Sequence, residues 1–466
     1  MVPAARPWYR WLCPRASPGQ AGGVALATRS GVSGRAVGGL AATAFGVGAV
    51  VVAGPGAQPA LVAAALVVAF AGFAVVLHTL RAGAGLPVRL VLAAGAALTA
   101  LCVVMPPAGS KDVASYALYG RMVSEYGENP YATVPDDHPD DPWYPDVSTR
   151  WRQTPSVYGP AFTVLSAAIT TVGGGHRTVV RLLFQASAGL ALLAAALAVA
   201  RLTGDAAATA FIALNPVLLA SVVNGAHNDA LVGAALVGAC LAARRRWWVA
   251  TGVLVALAAG VKVAAVLAVP ALAAWVWRRH GRRAATTVAG IAVGLLAASH
   301  LAFGPVAVLQ ALAEAGQQGS RSSVWRLAFD NGPDRLVGLV AIAASVALGT
   351  FLVRRHLDDP RPEMAVAAAL VGYLLLGSYV LPWYHAWLLL PVAVAWRSRL
   401  ALGATAASAV LLLGYTWPPG DHSPVGLVLR AVSYWIAPAV ALAVAAALIM
   451  EIRRRLPVEP AAESAP

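Results

Sequence analysis

Residues 105–158 read MPPAGSKDVASYALYGRMVSEYGENPYATVPDDHPDDPWYPDVSTRWRQTPSVY, a polar stretch in a chain that is otherwise mostly apolar. Three apolar segments precede it, and largely apolar sequence follows almost to residue 450. Eight of the chain's 20 acidic residues lie in it: Asp112, Glu125, Glu128, Asp136, Asp137, Asp140, Asp141 and Asp146. Carboxylates gathered into one loop between apolar segments point to chemistry in that loop.

The composition supplies the frame. Hydrophobic residues make up 59% of the chain and charged residues 12%, against about 25% charged in soluble domains. Many segments approach the ~20 apolar residues that span a hydrocarbon core. The chain therefore reads as an all-α polytopic membrane protein. Its net charge of +14 does not mark a nucleic-acid binder, because the arginines fall in short clusters between apolar segments, the pattern of cytoplasmic loops. Cys13, Cys102 and Cys240 lie far apart and form neither a disulfide framework nor a zinc spacing.

The arginine clusters orient the chain. Residues 1–36 carry five arginines among Gly, Ala, Ser and Pro and read as a basic, disordered cytoplasmic tail. Spans at 37–54, 59–79 and 87–104 then deliver the acidic loop to the outside. The short apolar stretch 159–173 would put the Arg244-Arg245-Arg246 cluster on the wrong side if it crossed; read as re-entrant or interfacial, it keeps every cluster inside. The expectation is about 14 spans (12–15) within a membrane-embedded domain over 37–450. Residues 105–177 form its catalytic outer loop and re-entrant helix, 304–333 a second outer loop, and 451–466 a cytoplasmic tail.

This map collects unusual polar residues on the outer face. Asp112 stands where a span ends and reads either as a helix cap or as a catalytic carboxylate. Asn224, His227, Asn228 and Asp229 exceed what a cap needs. Lys262 sits deep among alanines and valines, either snorkelling or holding a phosphate. Arg177 and Arg181 lie one helical turn apart and match anion contacts. Arg321 and Arg326 lie in the second outer loop and His385 in PWYH. The run PDDHPDD (135–141) reads as a solvated loop, with a divalent metal site as the alternative.

The order of motifs DVxSYxxYGR (112–121), NPY (129–131), WRxTPSxYGP (151–160), HNDAL (227–231) and PWYxxWxLP (382–391) resembles the actinobacterial polyprenol-phosphate-mannose-dependent mannosyltransferases of the GT-C superfamily. The similarity covers residues 100–400. It implies a GT-C-type helical bundle with short interfacial helices on its first extracytoplasmic loop. It also implies inverting transfer of mannose, in α-1,6 linkage, from a polyprenyl-phosphate donor to a lipid-linked or glycan acceptor of the lipomannan or lipoarabinomannan type. Family members place the general base on the acid opening the first outer loop, which implies Asp112. Donor phosphate contacts would come from Lys262, Arg321, Arg326, His385, Arg177 and Arg181. The matching motifs supply Tyr116, Trp151, Arg152, Tyr158, His227, Asn228, Asp229, Trp383 and Tyr384 as substrate contacts, and Asn224 joins them from the same turn as His227. No cofactor is implied, and the partners are membrane lipids, the donor and the acceptor. A transporter or an assembly partner for polyprenyl-linked sugars is the competing expectation; a transporter would show inverted repeats and broken midplane helices.

Overall fold

The structure is a computed structural model of the chain and describes residues 32–83, 85–316, 319–327, 329 and 335–454. Most of the expected N-terminal tail, part of the second outer loop and most of the C-terminal tail lie outside these residues. Among the described residues the fold is all-helical, with one isolated bridge between Val32 and Gly85.

The first three helices are α1 (Gly34–Ala53), α2 (Pro59–Arg81) and α3 (Val88–Val104). The α1–α2 hairpin closes on small residues: a Cβ at Gly72 would lie 2.5 Å from the Thr43 backbone nitrogen and 2.6 Å from the Gly39 carbonyl oxygen. Close backbone approach through small residues holds helices together where lipid offers no hydrophobic contrast. The polar stretch follows as α4 (Asp112–Ser124) and three 3₁₀ turns, at Pro135–Asp137, Tyr144–Asp146 and Thr149–Trp151.

Next come α5 (Pro160–Gly173), α6 (Arg177–Thr203), α7 (Ala206–Ala213), α8 (Asp229–Arg244), α9 (Trp248–Val261), α10 (Ala268–His280), α11 (Arg282–Ala302) and α12 (Pro305–Gly316). The remainder is α13 (Arg335–His356), α14 (Pro362–Leu376), α15 (Ala386–Val392), α16 (Arg399–Tyr415), α17 (Pro424–Ala431) and α18 (Ala437–Arg454). Among the described residues, seven helical stretches are long and apolar enough to cross a membrane, and five shorter apolar helices accompany them. The protein is a polytopic membrane protein.

Three segments differ in detail from the expected spans. Residues 206–223 are α7 followed by a π-helical stretch, Val217–Val223, and this unit is 94% buried, at the centre of the bundle. Residues 382–395 are a 3₁₀ turn, the seven-residue α15 with Pro391 inside it, and a second 3₁₀ turn. At 1.5 Å per residue α15 is roughly 10 Å long, too short to cross alone. Residues 305–316 of the expected second outer loop are helical.

The bundle has two distinct ends. At one end, Arg244 forms a two-pronged pair with Glu363 (2.8 and 2.7 Å), Arg278 pairs with Asp358 (3.0 Å), and Trp275 donates to the Asp359 carbonyl (2.8 Å). Of the helices that begin or finish there, α8 carries Asp229 and α9 leads to Lys262 at its other end; Tyr415, the last residue of α16, lines one cavity with the 319–327 segment.

Candidate active site

Asp112 opens α4, one residue after the capping position, which Lys111 occupies. Its carboxylate accepts no backbone N–H among the described residues, so the capping role considered for it is not the one it plays. Oδ2 instead meets two side chains: His227 Nδ1 at 3.2 Å and the Tyr116 hydroxyl at 3.4 Å. The His227 ring is turned off the line a full hydrogen bond requires. Burial pushes the Asp112 carboxyl up, but the His227 interaction and the charge of Lys262 outweigh that push and hold it below the ordinary carboxylate range. Oδ1 has no partner among the described residues, and the Asp112 side chain keeps 26% of its surface exposed.

A tight turn delivers His227. The π-helical stretch ends at Asn224, Ala226 takes a positive φ of 58°, and α8 starts at Asp229. A Cβ at Gly225 would lie 2.6 Å from the His227 ring, so only glycine leaves that ring its place. The ring stacks on Trp383 with centroids 3.8 Å apart and planes 9° apart. The four polar residues of the turn then divide. Asn224 fastens the entrance of the polar loop, accepting from Ala108 N (2.8 Å) and donating to the Cys102, Met105 and Pro106 carbonyls. Asn228 is buried, and neither side-chain amide atom has a hydrogen-bond partner among the described residues.

Asp229 is fully buried and accepts from Trp387 Nε1 (2.6 Å) and Lys262 Nζ (3.2 and 3.3 Å). Lys262 interrupts the helix after α9 in extended conformation. Its ammonium lies 4.3 Å from the Tyr384 ring centroid, 5.7 Å from Tyr158 and 5.8 Å from Trp387. It neither snorkels nor stands unpaired for a phosphate: it is the counter-ion of Asp229 inside an aromatic cage. Tyr158 and Tyr116 meet edge to face at 4.9 Å, which holds the loop ending WRxTPSxYGP against α4.

Beside this cluster lies a cavity of about 650 Å³ whose walls include Arg150, Arg321, Arg326, Tyr379, Tyr415 and Trp417. Arg321 donates to the Tyr415 carbonyl (3.2 Å) and lies 5.2 Å from the Trp417 ring centroid; Arg326 lies 4.4 Å over Tyr434. Arg150 lies between Trp151 (5.5 Å) and Tyr379 (5.7 Å). Tyr379 and Tyr415 both stand within electrostatic reach of Asp112 and Arg150. A second cavity of about 180 Å³, under the α1–α2 turn, is lined by Ser110, His227 and Trp383 and shares Tyr415 and Thr416 with the first.

Other expected residues are engaged elsewhere. Arg177 pairs with Asp146 and covers Trp143 at 4.7 Å. Arg181 donates to Gln185 (2.5 Å) and the Met105 carbonyl (3.2 Å). Arg152 lies over Tyr144 at 4.4 Å and donates to the Val147 carbonyl. His385 is buried with no side-chain partner, and its neighbours Trp383 and Tyr384 make the contacts. The acidic run folds on itself: Asp141 takes Arg121 (2.7 Å), Tyr126 (2.9 Å) and Trp143 N (2.8 Å), Asp136 takes Tyr144, and Asp137 takes Val134 N. No three ligating side chains converge among the described residues.

Arg150 and Tyr415 went unrecognised in the sequence. For Arg150 a signal existed, since it flanks Trp151 opposite Arg152; the 3₁₀ turn Thr149–Trp151 decides which of the two faces the cavity.

A family profile described as alpha-(1->6)-mannopyranosyltransferase, N-terminal domain, matches residues 18–279. The chain is 31% identical over 373 residues to the alpha-(1->6)-mannopyranosyltransferase A of Mycobacterium tuberculosis, covering 72% of this chain and 70% of that one. It is 27% identical over 385 residues to the protein of the same name from Corynebacterium glutamicum, covering 71% and 76%. Against a probable alpha-(1->6)-mannopyranosyltransferase of Mycolicibacterium smegmatis it is 28% identical over 430 residues, covering 78% and 74%. No solved structure matches. The chain is an enzyme of the alpha-(1->6)-mannopyranosyltransferase family.

Proposed function

We propose that this glycosyltransferase moves mannose from a polyprenyl-phosphate donor to a lipid-linked or glycan acceptor at the outer membrane face, with inversion and in α-1,6 linkage, in the assembly of a lipomannan- or lipoarabinomannan-type envelope glycan. The observation that carries the reading is Asp112, whose Oδ2 is occupied by His227 and Tyr116 while Oδ1 has no partner, at the end of the bundle that also holds the three-arginine cavity. The names of the relatives supply the sugar and the linkage. The arginine clusters at the opposite end favour an outward-facing site, by the positive-inside rule.

The acceptor hydroxyl gives its proton to Oδ1 of Asp112 while its oxygen attacks the anomeric carbon from the side opposite the phosphate. The bond between that carbon and the phosphate oxygen breaks, and the electron pair leaves with the polyprenyl phosphate. Arg150, Arg321 and Arg326 stabilise the charge that develops there. Lys262 and Asp229 hold the floor of the site, and His227, with a smaller share from the charge of Lys262, holds the Asp112 carboxyl low against the upward push of burial. Asn228 offers an acceptor and two donors to sugar hydroxyls.

Purified enzyme given radiolabelled polyprenyl-phosphomannose and a lipid-linked mannan acceptor should extend the acceptor by α-1,6-mannose. Extension from a nucleotide-activated mannose alone would overturn the donor, and a product with another linkage would overturn the regiochemistry.

A further inference from the structure

Two helices, α13 and α16, line one cavity near one end and a second cavity near the other, and residues just beyond α14 and just before α18 join the first. Val337, Tyr379, Tyr415 and Tyr434 line the arginine cavity beside Asp112. Leu352 of α13, Met364 of α14, Leu400 of α16 and Leu448 of α18 line a different cavity of about 640 Å³. On α13, Val337 and Arg355 line the two cavities and stand about 27 Å apart at 1.5 Å per residue, close to the thickness of a hydrocarbon core.

This second basin is cationic. Its walls carry Arg355, Arg361, Arg397 and Arg399 with Asp358, Asp359 and Glu451. Arg361 is spent on Asp359 (2.9 and 2.8 Å), and Asp358 is taken by Arg278 (3.0 Å). Arg355, Arg397 and Arg399 form no ion pair among the described residues, leaving Glu451 as the one acid against them.

The basin continues into an apolar trough. Leu348, Phe351 and Arg355 share one face of α13 at spacings of three and four residues; Leu442, Ala445, Ala446 and Ile449 share one face of α18. Together with Leu376 of α14 they line a trough of about 650 Å³, and Arg355 belongs to both trough and basin. Its guanidinium lies 5.9 Å from the Phe351 ring centroid, at the junction. An apolar slot between membrane helices that opens onto arginines with no ion pair among the described residues, at headgroup depth, fits a ligand with a hydrocarbon body and an anionic head.

We propose that the α13–α18 slot binds one anionic glycerophospholipid of the leaflet opposite the active site, its acyl chains in the trough and its phosphate among Arg355, Arg397 and Arg399. Native mass spectrometry of delipidated enzyme titrated with phosphatidylglycerol should detect one tightly retained lipid, and phosphatidylcholine should be retained far more weakly. Replacing Arg397 and Arg399 together by Gln should weaken retention about five-fold per charge removed. Ala446→Trp, a change at an exposed position, should block the trough and abolish retention with every arginine in place. Both variants should keep mannosyl transfer measured with detergent-dispersed donor, which shows them folded. Equal retention of phosphatidylcholine, displacement of phosphatidylglycerol by millimolar glycerol phosphate, or unaltered retention by Ala446→Trp would each overturn the proposal.

Discussion

At the residue scale, the proposed chemistry rests on a carboxylate held from one side. His227 and Tyr116 fix Asp112 through Oδ2, which orients the other oxygen without consuming it. Asp112→Asn preserves the shape and the hydrogen bond from Tyr116 but cannot take a proton. Mannosyl transfer should fall by about 10²–10⁴-fold, with donor binding and thermal stability retained; near-parental turnover would move the base elsewhere. The acid limb of the rate profile follows from the same contacts. Because the Asp112 carboxyl is held low in the folded enzyme, it is ionised at neutral pH, and activity should be lost only as pH falls through that depressed value. His227→Leu removes a lowering influence and leaves the upward push of burial, so the acid limb of kcat/KM should shift to higher pH. An unmoved limb in a pH–rate series would show that His227 does not tune the base.

At the scale of elements, the site depends on helices that stop early. The break after α9 turns Lys262 toward α8, where it meets Asp229. Removing one partner strands a buried charge, so Asp229→Asn or Lys262→Met alone should cost about 3–5 kcal/mol, and the double variant should recover much of that loss. Thermal midpoints of the three purified variants test this, and simple additivity would mean the pair is not coupled. The 319–327 segment and the turn at Thr149–Trp151 act as a second unit, carrying Arg321, Arg326 and Arg150 to one cavity. Arg321→Ala or Arg150→Ala should each lower kcat/KM for the donor roughly ten- to a hundred-fold, the worth of a charge-assisted contact of about 1.5–3 kcal/mol. The KM for the acceptor should stay unchanged; unchanged donor kinetics in both would make these arginines structural.

At the scale of the whole molecule, polarity is divided between two ends. Single-cysteine labelling should find Ser423→Cys and Ser110→Cys reactive from outside intact cells and Arg397→Cys reactive only after permeabilisation. The native Cys102 and Cys240 are buried and should stay silent. Ser156, although it lies in the long polar stretch, is 1% exposed and should not report. Labelling of position 397 from outside would reverse the proposed orientation and, with it, the face at which the donor is used.

Much of this was determined by the sequence alone. Apolar length, the one long polar interruption and the arginine clusters are local properties, and local properties suffice to specify a polytopic helical protein. The ordered motifs contain Asp112, His227, Asp229 and Trp383, which the fold brings to one end of the bundle. Only the tertiary structure decided how these residues are used. Asp112 and His227 are 115 positions apart and Trp387 and Asp229 158, and no periodicity encodes such pairings. Lys262 read from the sequence as either a snorkelling lysine or a phosphate ligand, and the fold sets it against Asp229; Arg152 read as a substrate contact, and it is Arg150 that lines the cavity. The physical reason is common to both cases. A long cationic side chain can satisfy its charge in several directions, and which direction it takes depends on the partner that packing brings within about 3 Å.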